Sequence, residues 1–307
     1  MQTPIQISVI ICTHNPRPDY LRRVLEALKA QTLPKEQWEL LVIDNASKEP
    51  LAPAFDLPWH PRARHIRENE LGLTPARLRG ILESEGECLL FVDDDNVIFP
   101  DYLAECSRIA KGWPLLGVWG GQQFPEFEGG EPEEAWKREF WTSTLKRDVW
   151  SNNYDNNTVA IGAGLCIRRQ VARNYAELAR GDPLRLALDR KASTLNSCGD
   201  FDMAFVSCDL GFGTGRFVSL KLNHLMPMHR VSDDYLVRLN EGFGYSQVIL
   251  AALRGIAPCQ PCRVDRIVNF YKRLRLPSLR RRMEIAFETG RARAIAELNR
   301  RSQQASK

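Results

Sequence analysis

Cys88-Leu89-Leu90-Phe91-Val92-Asp93-Asp94-Asp95 is an unbroken apolar run that stops at three consecutive carboxylates. It lacks polar alternation, which suits a strand covered on both faces inside a parallel sheet. Two earlier stretches have the same form. Ile7-Ser8-Val9-Ile10-Ile11-Cys12 stops at Thr13-His14-Asn15-Pro16, and Trp38-Glu39-Leu40-Leu41-Val42-Ile43 stops at Asp44-Asn45-Ala46-Ser47. The spacing of Tyr20, Leu21, Val24, Leu25 and Leu28 predicts a helix over 19–30. A second helix is expected over 74–84, with Thr74 as N-cap and Pro75 at the first helical position. Residues 62–66 carry a weaker strand. Strands alternating with helices indicate an α/β layer with a mostly parallel sheet. Ligands of such sheets bind beyond the carboxyl ends of the strands. Thr13-His14-Asn15, Asp44-Asn45 and Asp93-Asp94-Asp95 are therefore expected on one rim.

Working outward, the stretch 113–150 is rich in Gly, Pro, Glu and Trp, with a connecting strand at Leu116-Gly117-Val118-Trp119. A strand interrupted by Gly162-Ala163-Gly164 is expected over 160–167, a helix over 201–210 closed by Gly211, and a strand over 216–222. Helical patterns dominate from 233, with breaks at 255–261 and 276–278. This divides the chain into a domain over 1–232 and a helical basic extension over 233–307.

The 307 residues suffice for one large domain or two smaller ones, and 44% hydrophobic with 26% charged residues is ordinary for a soluble globular protein. Collagen-like, wholly disordered and disulfide-scaffold classes are excluded. No apolar run approaches the ~18 residues of a membrane-crossing helix, and the first residues lack a secretory pattern, so a cytoplasmic protein is expected. Most of the eight cysteines lie in apolar runs and are expected as buried free thiols in a reducing compartment. Cys259-Gln260-Pro261-Cys262 has metal-like spacing but no second pair to complete a zinc site, so it is expected to be a loop with two thiols. Residues 263–307 hold 13 Lys and Arg against 4 Asp and Glu, which leaves the other residues at −5. Arg273, Arg275, Arg280, Arg281 and Arg282 alternate with Ile267, Phe270, Leu274, Leu276 and Leu279. Such a helix either lies peripherally on an anionic membrane surface or presents a solvated face. The acidic body argues against nucleic acid as a partner.

Adjacent carboxylates repel, so three in succession call for a partner. Asp93 and Asp95, as alternate residues, are placed to converge on one hard cation, Mn2+ or Mg2+; alone, the same residues also fit a solvated acidic turn. No glycine-rich phosphate cradle is present: Gly211-Phe212-Gly213-Thr214-Gly215 follows a helix, as a terminator would.

Ser8-Val9-Ile10-Ile11-Cys12-Thr13-His14-Asn15, Glu39-Leu40-Leu41-Val42-Ile43-Asp44-Asn45-Ala46-Ser47, Asn69-Glu70-Leu71-Gly72-Leu73-Thr74-Pro75-Ala76-Arg77 and Phe91-Val92-Asp93-Asp94-Asp95 together resemble the family 2 glycosyltransferases of the GT-A fold. The match in order and spacing spans the first hundred residues and continues more weakly to about 230. The resemblance implies a GT-A-type, Rossmann-like sheet flanked by helices, with a nucleotide-binding half over about 1–110 and an acceptor half over about 111–232. It also implies a metal-dependent inverting enzyme of hexosyl- or N-acetylhexosaminyl-transferase type. Such an enzyme moves a sugar from a nucleotide-sugar donor, a UDP-sugar above others, to a hydroxyl of a glycan or lipid-linked acceptor.

The resemblance also assigns roles. Thr13 and Asp44 would contact base and ribose, with His14 where the family often has an aromatic residue. Arg77 would face the base or diphosphate, and Asp93 the ribose. Asp95, with Asp93, would hold the metal, with His224 as third ligand and His229 as its substitute. Cys198-Gly199-Asp200-Phe201-Asp202-Met203 resembles the family's acidic motif. Asp200 would be the base, or else merely an N-cap, with Asp202 in reserve and Gly199 standing where glutamate is usual. The small residues around Gly164 would let a sugar approach the backbone, and Trp141 or Trp150 would stack on a sugar or pack in the core. Two other readings remain: a catalytically inactive glycan- or membrane-binding relative, and a nucleotidyltransferase.

Overall fold

The computed structural model describes residues 4–132, 144–190, 194–257, 271, 273 and 275–305. The chain divides into two compact units, one comprising Met1–Gly181 with Asp200–Pro227, the other Asp182–Gly199 with Met228–Lys307.

The first unit is built on one mixed sheet of order β3-β2-β1-β4-β8-β6-β9-β5, with β7 on β9. Strands β1 (Ile7–Thr13), β2 (Trp38–Asn45) and β4 (Cys88–Phe91) are the three apolar runs, and β2 is buried at all eight positions. They pair parallel in one register, with Ile10 between Leu41 and Phe91, and β3 (Ala63–Glu68) adds a parallel edge beside β2. Their lack of alternation follows from helices covering both faces. Helix α1 (Pro18–Lys29) buries Leu21, Val24, Leu25 and Leu28, has proline in its first turn and places Asp19 near its N-terminus and Lys29 near its C-terminus, as the macrodipole favours. Helix α2 (Leu73–Glu83) has its N-cap two residues earlier than expected, at Gly72, and Thr74 lies inside the helix, buried. The hydroxyl of Thr74 therefore does not cap.

Beyond β4 the sheet turns mixed. Strand β5 (Asn96–Ile98) follows the three aspartates directly and runs antiparallel to β9 (Gly213–Met226). The expected connecting strand is the twelve-residue β6 (Leu116–Phe127), parallel to β9 through two register shifts. The strand expected over 160–167 shortens to β8 (Leu165–Arg168), antiparallel to both β4 and β6. Strand β7 (Val149–Ser151) borders the opposite end of β9. Helices α3 (Tyr102–Gly112) and α4 (Arg169–Ala179) complete the unit, with α6 (Gly199–Asp209) from Asp200 onward. Arg168 donates to the carbonyls of Ala110 and Trp113, acceptors that the end of α3 leaves open, and to that of Leu116 at the start of β6. Cys88, Cys106 and Cys166 are buried free thiols; Cys166 contacts both others, and burial pushes its thiol well above the ordinary range.

In the second unit a short α5 (Pro183–Leu186) precedes two long helices, α7 (Asp233–Ala252) and α8 (Ser278–Ala305). Ser232 caps α7 through the Tyr235 N–H. The arginines of the basic segment are largely engaged within this unit. Arg293 pairs with Glu241, Arg282 with Asp233 and Asp234, and Arg301 with Glu297, which also accepts from the Tyr245 hydroxyl. Arg281 donates to the carbonyls of Arg273 and Leu276. Among the described residues no helix is long and apolar enough to cross a membrane.

Candidate active site

The three polar clusters lie at the carboxyl ends of β1, β2 and β4, as the rim argument requires. Thr13, Asp44 and Arg67 are register partners across β1, β2 and β3, so their side chains leave the same face of the sheet in a row. Asp44 is buried, 5% exposed. Its Oδ1 accepts the Ser47 N–H at 3.1 Å, and its Oδ2 accepts from Arg67 Nη1 at 2.7 Å and from the Leu51 N–H at 3.4 Å. Burial alone would raise its pKa, but hydrogen bonds from Ser47 and Arg67, with the charge of that arginine, outweigh it and hold the carboxyl below its ordinary value. Asn45 is buried beside it, donating to the Glu70 carbonyl at 2.7 Å and accepting the Gly72 N–H at 2.9 Å. One strand end thus fixes both the loop after β2 and the start of α2.

Thr13 is buried, and its hydroxyl donates to the carboxylate of Asp94, the central aspartate. His14 is exposed but held: Nδ1 lies 2.7 Å from the Asn45 carbonyl and Nε2 2.8 Å from the Asn15 amide nitrogen. Since the carbonyl can only accept and the amide NH2 only donate, the ring donates from Nδ1 and accepts at Nε2. Asp93 is half-buried and Asp95 buried. Asn96, wholly buried, donates to Asp95 Oδ1 at 2.9 Å and accepts the Asp93 N–H at 3.3 Å. Because Asn96 on β5 faces His224 on β9, His224 Nε2 comes to 3.5 Å from Asp95 Oδ2. That is too long for a good hydrogen bond, yet close to the ~3 Å between neighbouring ligand atoms on one octahedral ion. Among the described residues no group of three or more His, Cys, Asp or Glu stands ready to hold a metal. Carboxylate oxygens and an imidazole are donor types that a hard divalent ion accepts, and Asp95 with His224 is a pair close enough to share one.

A second cluster flanks the end of β4. Asp200, 8% exposed, accepts the Gly162 N–H at Oδ2 (2.8 Å) and the Phe201 N–H at Oδ1 (2.9 Å). It sits in the first turn of α6, where the helix dipole favours the ionised form. The Arg77 guanidinium is buried, lies over Phe91 at 5.7 Å, and would be only 2.7 Å from a Cβ at Gly162. Glycine there lets the guanidinium and the carboxylate close on the same stretch of backbone.

The other expected residues are placed differently. Asp202 is completely enclosed, at 0% exposure. Gly164 has φ +74°, its carbonyl accepts the Tyr102 hydroxyl at 2.7 Å, and any Cβ would strike that hydroxyl; internal packing explains this glycine. Trp150 neither enters the core nor reaches the rim. It is 59% exposed, stacks near Trp113, and pairs with Gly215, about 30 Å along β9 from His224 at the strand rise. His229 is exposed in a short 3-10 turn of the other unit. Trp141, Cys259 and Cys262 lie outside the described residues. At Gly199 a Cβ would stand 2.2 Å from the Asp189 carboxylate, so the glutamate usual there has no room. Two residues escaped the sequence reading: Arg67, whose signal was a charge at the end of a weak strand level with Asp44, and Asn96, hidden in a three-residue strand.

Residues 8–176, more than half the chain, match the family model described as "Glycosyl transferase family 2". The chain belongs to this family. Glycosyltransferase AglE of Haloferax volcanii is 28% identical over 171 residues, 55% of this chain and 54% of AglE. Poly(ribitol-phosphate) beta-N-acetylglucosaminyltransferase TarS of Staphylococcus aureus is 26% identical over 106 residues, 34% of this chain and 18% of TarS. The chain thus spans about half the length of one of these relatives and under a fifth of the other. In structure, residues 1–349 of S. aureus TarS, solved in complex with UDP-GlcNAc, superpose with a TM-score of 0.54 at 15% identity, covering 93% of this chain and 81% of that one. The shared fold is the GT-A type, a large mixed sheet flanked by helices.

Proposed function

We propose that this chain is a metal-dependent inverting glycosyltransferase that transfers a hexosyl or N-acetylhexosaminyl group from a UDP-sugar to a hydroxyl of a glycan or lipid-linked acceptor. The observation that carries the reading is the gathering of Asp44, Asp93, Asp94, Asp95 and His224 on one rim, with the Asp200 carboxylate fixed beside the end of the same β4. Family membership and a structural neighbour solved with UDP-GlcNAc support the donor class.

Asp95 and His224, joined by Asp93, would hold a Mn2+ or Mg2+ ion. When bound, such an ion neutralises charge developing on the departing diphosphate. Asn96 fixes one oxygen of Asp95 and thereby aims the other toward His224. His14 offers a ring held at both nitrogens with its edge in solvent. Asp200 accepts the proton of the attacking hydroxyl. The Gly162 and Phe201 N–H groups, one on each oxygen, keep the carboxylate from turning away. A single base opposite the leaving group gives direct displacement with inversion, the geometry known from hydrolases that activate a nucleophile on one face.

Donor hydrolysis with and without Mn2+ tests the metal role. Wild type should accelerate with Mn2+, and Asp95→Ala should lose most of that acceleration. Equal rates in all four conditions would remove the ion from the mechanism. A non-catalytic relative would instead bind the donor and turn over no acceptor.

A further inference from the structure

We infer that Asp189 is a positioning residue for the Asp200 base: its carboxylate takes the side-chain place that Gly199 leaves open and fixes the turn from which Asp200 projects. The inference rests on the glycosyltransferase reading above and adds to it a residue that acts on the base without touching substrate.

Asp189 and Gly199 both belong to the second unit, and Asp200 follows Gly199 by one peptide bond. Asp189 is buried, 6% exposed. A Cβ built on Gly199 would lie 2.2 Å and 2.5 Å from the two carboxylate oxygens of Asp189 and 2.4 Å from its carboxyl carbon. The carboxylate therefore lies over the Gly199 Cα, in a space that any other residue at 199 would fill. A glutamate's own carboxyl carbon is about 2.5 Å from its Cβ, two carbon–carbon bonds away. Asp189 thus brings, from another stretch of chain, a carboxylate at the distance that a side chain of residue 199 would give. Helix α6 begins at Gly199, so this anion stands against a first turn whose open N–H groups and macrodipole favour it.

The turn before the base needs such support. Cys198 is buried with φ +82°, a conformation that residues with a Cβ rarely adopt. Such a backbone persists only where its surroundings over-determine it. Its neighbours in the second unit do so. The Ser197 N–H donates to the Ser246 hydroxyl at 3.0 Å, the Asn196 amide donates to the Ala187 carbonyl at 2.9 Å, and the Leu195 carbonyl fills the place of a Cβ at Gly242 on α7. Asp189 closes this row at the residue next to the base. Without its carboxylate a void opens at Gly199, and the link adjoining Asp200 is freed.

A double-mutant cycle with a swap tests this. UDP-glucose and UDP-GlcNAc, each with Mn2+, are the probes. Calorimetry reads donor affinity, and donor hydrolysis, with water in place of the acceptor hydroxyl, reads kcat and KM. Asp189→Ala should lower kcat by about 10- to 100-fold, the effect of a base misplaced by about 1 Å, with donor Kd and KM within about two-fold of wild type. Gly199→Ala should do the same, since its methyl group evicts the carboxylate. In an Asp200→Asn background, Asp189→Ala should cost less than about two-fold more, because it acts through the group already removed. Asp189→Gly combined with Gly199→Glu returns a carboxylate to the same place and should recover most of the kcat that either single change loses. Asp189→Asn keeps the volume and should fall between wild type and Asp189→Ala; with the swap it decides the matter if circular dichroism shows the alanine variant unfolded. Unchanged kcat in Asp189→Ala and Gly199→Ala, losses that add to Asp200→Asn, a swap no better than the single variants, or donor affinity falling together with kcat would each overturn the inference and leave the glycosyltransferase reading standing. Wild type that binds neither UDP-sugar, or binds them without hydrolysis, would remove the catalytic reading and the inference with it.

Discussion

Asp200 has its charge held by two backbone N–H groups and a helix start, so its chemistry can be separated from its packing. Asp200→Asn preserves size and one oxygen. The expected outcome is donor binding within about two-fold of wild type and transfer reduced by about 10²–10⁴, the usual worth of a positioned base. Isothermal titration against UDP-sugar beside an acceptor assay distinguishes the two, and weakened donor binding would assign the residue a structural role. Legibility at this scale depended on how far a residue's partners lie along the chain. Asp44, Asp95 and Asp200 stood out because each closes an apolar run or opens a helix. The reason for Gly164 was hidden, since Tyr102 comes from 62 positions away. Gly199 stood out only as a departure from the glutamate that the resemblance expects; locally it is the space that the Asp189 carboxylate fills.

At the scale of elements, β1, β2 and β4 were readable because double-sided burial leaves only apolar residues, a pattern needing no knowledge of neighbours. Strand β5 was not, because three residues carry no periodicity and its existence depends on β9. Strand β6 was read only over its first four residues: its later Gly120, Gly121, Gln122 and Pro125 resemble a loop, and pairing with β9 overrides that preference. The loop between β2 and β3 carries a pH dependence of its own. His60 is buried against Trp38, with ring centroids 4.1 Å apart; burial, aided by the charge of Lys35, pushes its pKa down to about 4. The folded ring therefore stays neutral where the unfolded chain takes a proton, near pH 6.5. Above that pH the residue contributes nothing to the pH dependence. As pH falls from about 6.5 toward 4, the unfolded state binds the extra proton and stability drops, by about 1–2 kcal/mol at pH 5. Urea midpoints at pH 7.5 and 5 should show this loss, and His60→Asn should reduce it. An identical slope in the variant would assign the acid sensitivity elsewhere.

For the molecule as a whole, the charge asymmetry visible in the sequence has a partly internal destination. Arg282, Arg293 and Arg301 pair across or along α7 and α8, so the second unit keeps less free positive charge than its composition suggests. Composition could not reveal this, because Glu241, Asp233 and Asp234 lie about fifty residues before their partners. The stack of Cys88, Cys106 and Cys166 gives the sheet a built-in reporter. Three free thiols sit buried where no reagent can enter the closed molecule, whereas Cys12 and Cys208 are partly open to solvent. Alkylation in dilute buffer should therefore mark the outer pair quickly. The inner three should react only as often as the sheet itself comes apart, so their labelling rate becomes a clock for global opening.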